Sequence, residues 1–213
     1  MQPAVETLSL GPIGTNCHLV RRDGDATEAV VVDPGADGAQ IVERLDRMGA
    51  RCAAILLTHS HYDHIGALAE LAESTGAPVW LPAAEVDVFA RPDAYFGGLG
   101  ISTRGFAGPS TLLNGGETVD AAGISFAVTL VPGHSPGHVA YYTDGALFSG
   151  DVLFSSSVGR TDLPGGDWAT LLDSIRSLAD AYPPETIVYS GHGAQTVLGD
   201  ELARNPFLAE LRA

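Results

Sequence analysis

Four side chains able to hold a transition-metal ion fall within six residues: His59, His61, Asp63 and His64, in Thr58-His59-Ser60-His61-Tyr62-Asp63-His64. Imidazole nitrogen and carboxylate oxygen together suit a borderline cation such as zinc, and the same donors accept iron or manganese. One such ion takes about four ligands, so the cluster could start one complete site or two half-sites. Three further residues decide between these. His134 in Pro132-Gly133-His134, Asp151 in Ser149-Gly150-Asp151 and His192 in Gly191-His192-Gly193 each follow an apolar run, with glycine immediately before. A glycine there lets the chain turn tightly and aim a short side chain. A lone histidine at a strand end is ordinarily a packing or capping residue. Five of the seven histidines at such ends, beside glycine or an acid, point instead to a metal centre. His138, four after His134, reads as a support behind the ligands or as structural. His18 reads as a satisfied histidine of core or surface, and Tyr62 as packing.

The elements that must position these residues follow from hydrophobic period. Ala53-Ala54-Ile55-Leu56-Leu57 is a strand-length apolar run just before the cluster. Just after it, Ile65, Leu68, Ala69, Leu71 and Ala72 fall on helical spacing, ending near Gly76. The cluster therefore sits where a buried strand gives way to a helix, where α/β sheets build sites. Upstream, Val5–Leu10, Asn16–Arg22 and Ala29–Val32 read as strands, and Ile41, Leu45 and Met48 mark a helix closed by Gly49. Downstream come a short strand at 78–81 and a helix at 83–90. Residues 91–110, rich in glycine, proline and aromatics, read as a long loop near the site. Strands follow at 117–119, 124–131, 140–143 and 146–148, with Asp144-Gly145 as a hairpin signal. Trp168–Ala181 is an amphipathic helix, Ile187–Tyr189 a last strand, and 199–213 a helical tail interrupted by Pro206. Two similar halves of strands and helices bury every apolar stripe if two sheets pack together with helices outside.

Composition narrows the function. The 213 residues fit one domain, 1–213, with ample core. Eleven basic against 26 acidic residues give a net charge of −15, which disfavours nucleic acid as substrate. The first residues carry neither a basic region nor an apolar one, and no run nears the roughly 20 apolar residues of a membrane span. A cytoplasmic protein without membrane contact is expected, with Cys17 and Cys52 as reduced core thiols.

The stretch His59-Ser60-His61-Tyr62-Asp63-His64, with His134, Asp151 and His192 behind it, resembles the His-x-His-x-Asp-His signature of the metallo-β-lactamase superfamily. Gly159-Arg160-Thr161-Asp162, Gly191-His192-Gly193 and Asn205-Pro206-Phe207-Leu208 look like the glyoxalase II-like hydrolases, in their short, single-domain bacterial form. The resemblance implies an α+β fold, an αββα four-layer sandwich of two mixed sheets face to face with helices outside. It implies one ion on His59, His61 and His134, a second on Asp63, His64 and His192, and Asp151 bridging them. Two divalent ions at about 3.5–4 Å can share a hydroxide that is a nucleophile at neutral pH. The implied reaction is hydrolysis of a hydroxyacyl thioester of glutathione or another small thiol, with Asp63 also orienting the water and Arg160 near the thiol end. The chain departs from the longer glyoxalase II enzymes in ending without their glutathione-holding helical domain, and Ala194 occupies the region of their tyrosine. Rival readings on the same fold are a mononuclear-iron persulfide dioxygenase, a β-lactamase and a metal-stabilised binding protein without turnover.

Overall fold

The computed structural model describes residues 2–96, 98 and 103–212. In the first half, β1 (Ala4–Leu10) and β2 (Thr15–Arg21) form a hairpin, and β3 (Glu28–Val32) continues the antiparallel pairing. Helix α1 (Gly38–Arg47) crosses over to β4 (Arg51–Leu56), parallel to β3. Two short helices, α2 (Tyr62–Ile65) and α3 (Leu68–Thr75), lead to β5 (Val79–Pro82), parallel to β4. A 3-10 turn at Ala83–Glu85, then α4 (Val86–Ala90) and α5 (Pro92–Phe96), precede β6 (Ser110–Leu113), parallel to β5. These strands lie in the order β1-β2-β3-β4-β5-β6.

The second half repeats the plan. Strands β7 (Thr118–Ala121), β8 (Ile124–Leu130), β9 (Val139–Thr143) and β10 (Ala146–Gly150) form an antiparallel meander. A small hairpin, β11 (Leu153–Phe154) and β12 (Ser157–Val158), and helix α6 (Trp168–Ala181) follow. Strand β13 (Ile187–Ser190) then lies parallel to β10, with β14 (Thr196–Val197) antiparallel beside it. The second sheet thus runs β14-β13-β10-β9-β8-β7. Helix α7 (Leu198–Arg204) and a 3-10 segment, Pro206–Arg212, close the chain. Among the described residues no helix is long and apolar enough to cross a membrane.

Three buried clusters make the four layers. Alternate residues of a strand point to opposite faces, and here both faces are covered. Val30, Val32, Ala54 and Leu56 of the first sheet meet Phe126, Val139, Tyr141 and Phe148 of the second. Their neighbours Ala29, Val31, Ile55 and Leu57 face the other way, against Ile41 and Leu45 of α1 and Leu68 and Leu71 of α3. Ala140, Leu147 and Val188 turn outward onto Leu171, Ile175 and Leu178 of α6. The two mixed sheets with helices outside are the expected αββα sandwich. Helix α6 has its expected bounds, started by Asp167, whose carboxylate accepts from the Thr170 N–H.

Several local expectations are corrected. The helix after the histidine cluster is two helices, because the Ala67 N–H donates to Pro34 O at 2.9 Å rather than continuing the helical pattern. The segment at 83–90 opens as a 3-10 turn before becoming α4. Residues 91–110 contain α5, whose Phe96 ring packs on His61 and Tyr62 at 6.1 and 5.8 Å. That loop therefore does border the site; its residues 97 and 99–102 lie outside the described residues, as does Ala213 of the tail. Strand β6 carries one buried residue, Leu113, and so has no readable alternation.

One contact ties the inter-sheet core to the start of the histidine stretch. The buried Tyr141 hydroxyl donates to Leu57 O at 2.7 Å, directly before Thr58. Tyr141→Phe removes that donor while keeping the ring. It is expected to lower the free energy of unfolding by about 1–2 kcal/mol, measured by denaturant titration of the metal-free protein.

Candidate metal centre

Every sequence-predicted ligand arrives at the same end of the two sheets. His59 and His61 lie on the turn between β4 and α2, His61 being the residue that caps α2. Asp63 and His64 sit in the single turn of α2. His134 follows β8, Asp151 follows β10, and His192 follows β13. The glycines before them are needed for close approach. At Gly191 a Cβ would stand 2.1 Å from Asp151 Oδ1 and 2.6 Å from His64 Cε1. Gly133, at φ +127, lets the turn before His134 touch the α6 backbone at Leu171.

The donor atoms converge as three overlapping sets: His59, His61 and His134; His59, His64 and Asp151; and Asp63, His64 and His192. Within each set the atoms lie within 4.8 Å of one another. His61 Nδ1 and His134 Nε2 stand 2.8 Å apart. His64 Nε2 faces Asp151 Oδ1 at 3.3 Å and Asp63 Oδ2 at 3.4 Å. His192 Nε2 faces Asp63 Oδ2 at 3.3 Å and Asp151 Oδ2 at 3.6 Å.

The far side of each ring shows why these atoms are free to bind. The Thr58 hydroxyl donates to Asp33 Oδ2 at 2.7 Å, so its oxygen accepts from His59 Nδ1–H at 3.0 Å. His64 Nδ1–H donates to Asp33 Oδ2 at 2.9 Å, and His134 Nδ1–H to Arg160 O at 2.8 Å. A second partner of this kind fixes tautomer and ring orientation in metal sites. In each of the three rings Nε2 is therefore turned inward. His59 Nε2, His64 Nε2 and Asp151 Oδ1 are buried and find no hydrogen-bond partner among the described residues. A ring nitrogen facing a carboxylate oxygen in a buried site calls for a cation between them, a proton or a metal ion, and the donor set is one that divalent transition metals favour.

Electrostatics divide the cluster. Burial, reinforced by neighbouring rings, pushes His59 well below its ordinary value and His61 down to about 4, and burial also lowers His134. These three are neutral at pH 7 and ready to donate. On the other side, hydrogen bonds to Asp151 and Asp63 raise His192 to about 9. Burial opposes a charge on His64, but Asp151 and Asp33 outweigh it and hold the ring well above the usual range. Burial would raise Asp63, yet His192 and the charge of His64 keep its carboxyl at about 2.

The remaining candidates fall outside these sets. His138 supports Asp151: its Nε2 accepts from the Asp151 N–H at 3.1 Å, and its ring stacks on His59 at 4.6 Å. His18 is a buried histidine between Thr7 Oγ1 and Ser190 O. Arg160 is exposed and its guanidinium is held by Asp162 through two contacts of 2.7 Å, while its carbonyl fixes His134. Both thiols are buried and free, and burial holds Cys52 at about 11 and Cys17 well above its ordinary value.

Sequence reasoning missed Asp33, Thr58, Thr15 and Glu85. Asp33 is buried and also accepts from the Thr58 N–H at 2.8 Å, so it holds both His64 and the Thr58–His59 pair. Its signal was present: it is an acid directly after the apolar strand β3, as Asp151 is after β10. Thr15 donates to Asp63 Oδ2 at 2.8 Å. Asp33→Ala is expected to weaken metal binding about 10- to 100-fold, read by chelator competition; unchanged binding would show that His64 and His59 need no such hold.

The comparisons with known proteins agree with this geometry. Residues 10–192 match the model of the metallo-β-lactamase superfamily. The probable metallo-hydrolase YqgX of Bacillus subtilis is 40% identical over 207 residues, covering 94% of this chain and 95% of that protein. The hydroxyacylglutathione hydrolase GloC of Haemophilus influenzae is 32% identical over 214 residues, covering 96% and 97%. Among solved structures, the BLEG-1 B3 metallo-β-lactamase superposes with a TM-score of 0.89 at 40% identity, covering 97% of this chain and all of that one. TTHA1623 in a di-iron-bound form gives 0.85 at 38% identity, covering 95% and 100%. With the family signature matched, the fold superposed and the histidines and aspartates gathered as a divalent-metal site, the chain belongs to the metallo-β-lactamase superfamily of hydrolases.

Proposed function

We propose that this chain is a single-domain, two-metal hydrolase that cleaves hydroxyacyl thioesters of a small thiol. The observation that carries the reading is the convergence of seven donor residues, in overlapping sets, at the same end of the two sheets. The likeness to GloC along nearly the whole of both chains supports the thioester class. His59, His61 and His134 would hold one ion, and Asp63, His64 and His192 the second, with Asp151 between them. Bound there, divalent ions supply Lewis acidity and bring the pKa of water toward about 7, which provides a nucleophile at neutral pH. Zinc suits these donors, and the di-iron form of TTHA1623 makes iron a second candidate.

The chain's own residues do the rest. Asp63 is held by Thr15 and ionised at neutral pH, so it can accept a proton-bearing water and orient it toward the substrate carbonyl. The His64 ring is fixed through Asp33 and that of His134 through the Arg160 carbonyl, which limits the reorganisation the reaction must drive. A thiol leaves with a pKa of about 8.5 and needs little acid assistance. That matches a chain with no lysine and with both cysteines buried and protonated. Arg160, paired with Asp162 at the surface, would meet a carboxylate on the thiol by exchanging partners.

The likeness to BLEG-1 favours a second reading, hydrolysis of the cyclic amide of a β-lactam. One experiment separates them. The purified protein is stripped by chelator, reloaded with zinc, iron or manganese, and assayed on nitrocefin and on acyl thioesters of thiols with and without a carboxylate. Thioester turnover that vanishes on stripping and returns with metal is expected, with Arg160→Ala raising KM for the carboxylate-bearing thiols alone. Nitrocefin turnover without thioester turnover would overturn the thioester reading.

A further inference from the structure

Glu85 ends the 3-10 turn after β5, away from every predicted ligand in sequence, and its side chain is buried. Three donors converge on it. The Ser60 N–H donates to Oε2 at 2.7 Å, and the Ser135 hydroxyl and the Gly137 N–H donate to Oε1 at 2.5 and 2.9 Å. Ser60 lies between His59 and His61, and Ser135 directly follows His134. We propose that Glu85 is the positioning residue of the three-histidine half-site, its carboxylate tying the loop of His59 and His61 to the loop of His134 across the two halves of the chain. The inference rests on the two-metal reading above.

The geometry favours that half-site: Ser60 lies on the turn of His59 and His61, ahead of the helix that carries Asp63 and His64, and Ser135 and Gly137 lie on the loop of His134. The approach is built closely: a Cβ at Gly137 would stand 2.8 Å from Glu85 Cγ and 3.0 Å from Ala84 Cβ. All three donors point at oxygen, so the group must accept at both positions. A glutamine has the same shape but presents an NH2 at one of them, which sets donor against donor. A buried donor left unpaired is costly, and a charged acceptor bonds its donors more strongly than a neutral one.

The test is cadmium NMR of the full-length protein loaded with cadmium, with chelator competition and thermal melting of the metal-free form alongside. Wild type is expected to give two resonances. Glu85→Gln should lose or shift the one from the three-histidine half-site and weaken that equivalent about 10- to 100-fold, leaving the other in place. Ser135→Ala removes one donor of three and should move the same resonance by less; it carries the test if Glu85→Gln does not fold. Two unchanged resonances, or two that shift alike as a loosened fold would produce, overturn the proposal while the two-metal reading stands. A single wild-type resonance overturns the two-metal reading. The role of Glu85 then stands if Glu85→Gln weakens that ion and falls if it does not.

Discussion

Burying Asp151 beside His64 and His192 is the constraint on which the rest of the structure depends. A carboxylate taken out of water is costly unless positive charge or hydrogen bonds meet it. Burial alone would raise the Asp151 carboxyl, yet His64 and His192 hold it well below its usual range. With its other nitrogen committed to Asp33, His64 turns Nε2 toward that carboxylate. Such an arrangement is satisfied only by a cation. Protons serve in the metal-free protein, and divalent ions satisfy more of the inward-facing lone pairs at once.

The sandwich is a means of bringing that electrostatic problem to one place. Parallel pairing of β3 with β4 and of β10 with β13 sets the ends of these strands side by side in each sheet. Each end then presents an acid or a histidine: Asp33, His59, Asp151 and His192. Face-to-face packing through Phe126, Tyr141 and Phe148 brings the two edges together. Buried side chains then hold each loop from behind, with Asp33 behind His64 and Thr58, Thr15 behind Asp63, and His138 behind the Asp151 backbone. The overlapping donor sets differ in consequence: one is three neutral imidazoles, and the other two include the carboxylates.

Much of this was legible in the residues, and what was not has physical reasons. The donor residues that gather at the strand ends left two local signals: four of them crowd into residues 58–64, and a glycine directly before His134, Asp151 and His192 frees the backbone to aim each side chain. Strands β3, β4, β9 and β10 were readable because both faces are buried and their runs are continuous. Helix α6 was readable from its one apolar stripe and the capping Asp167. Strands β6, β11, β12 and β14 bury too little to leave a pattern. The break between α2 and α3 depends on Pro34, 33 residues before Ala67, which no local window contains. Asp33 and Glu85 were missed for the same reason: a single acid at a turn has many local uses, and the partners of Glu85 lie 25 to 52 positions away.

The most direct measurement is anomalous diffraction from a crystal of the metal-loaded protein. Two peaks are expected, one among His59, His61 and His134 and one among Asp63, His64 and His192, both touching Asp151. One peak alone, or peaks bound by other residues, would contradict this assignment.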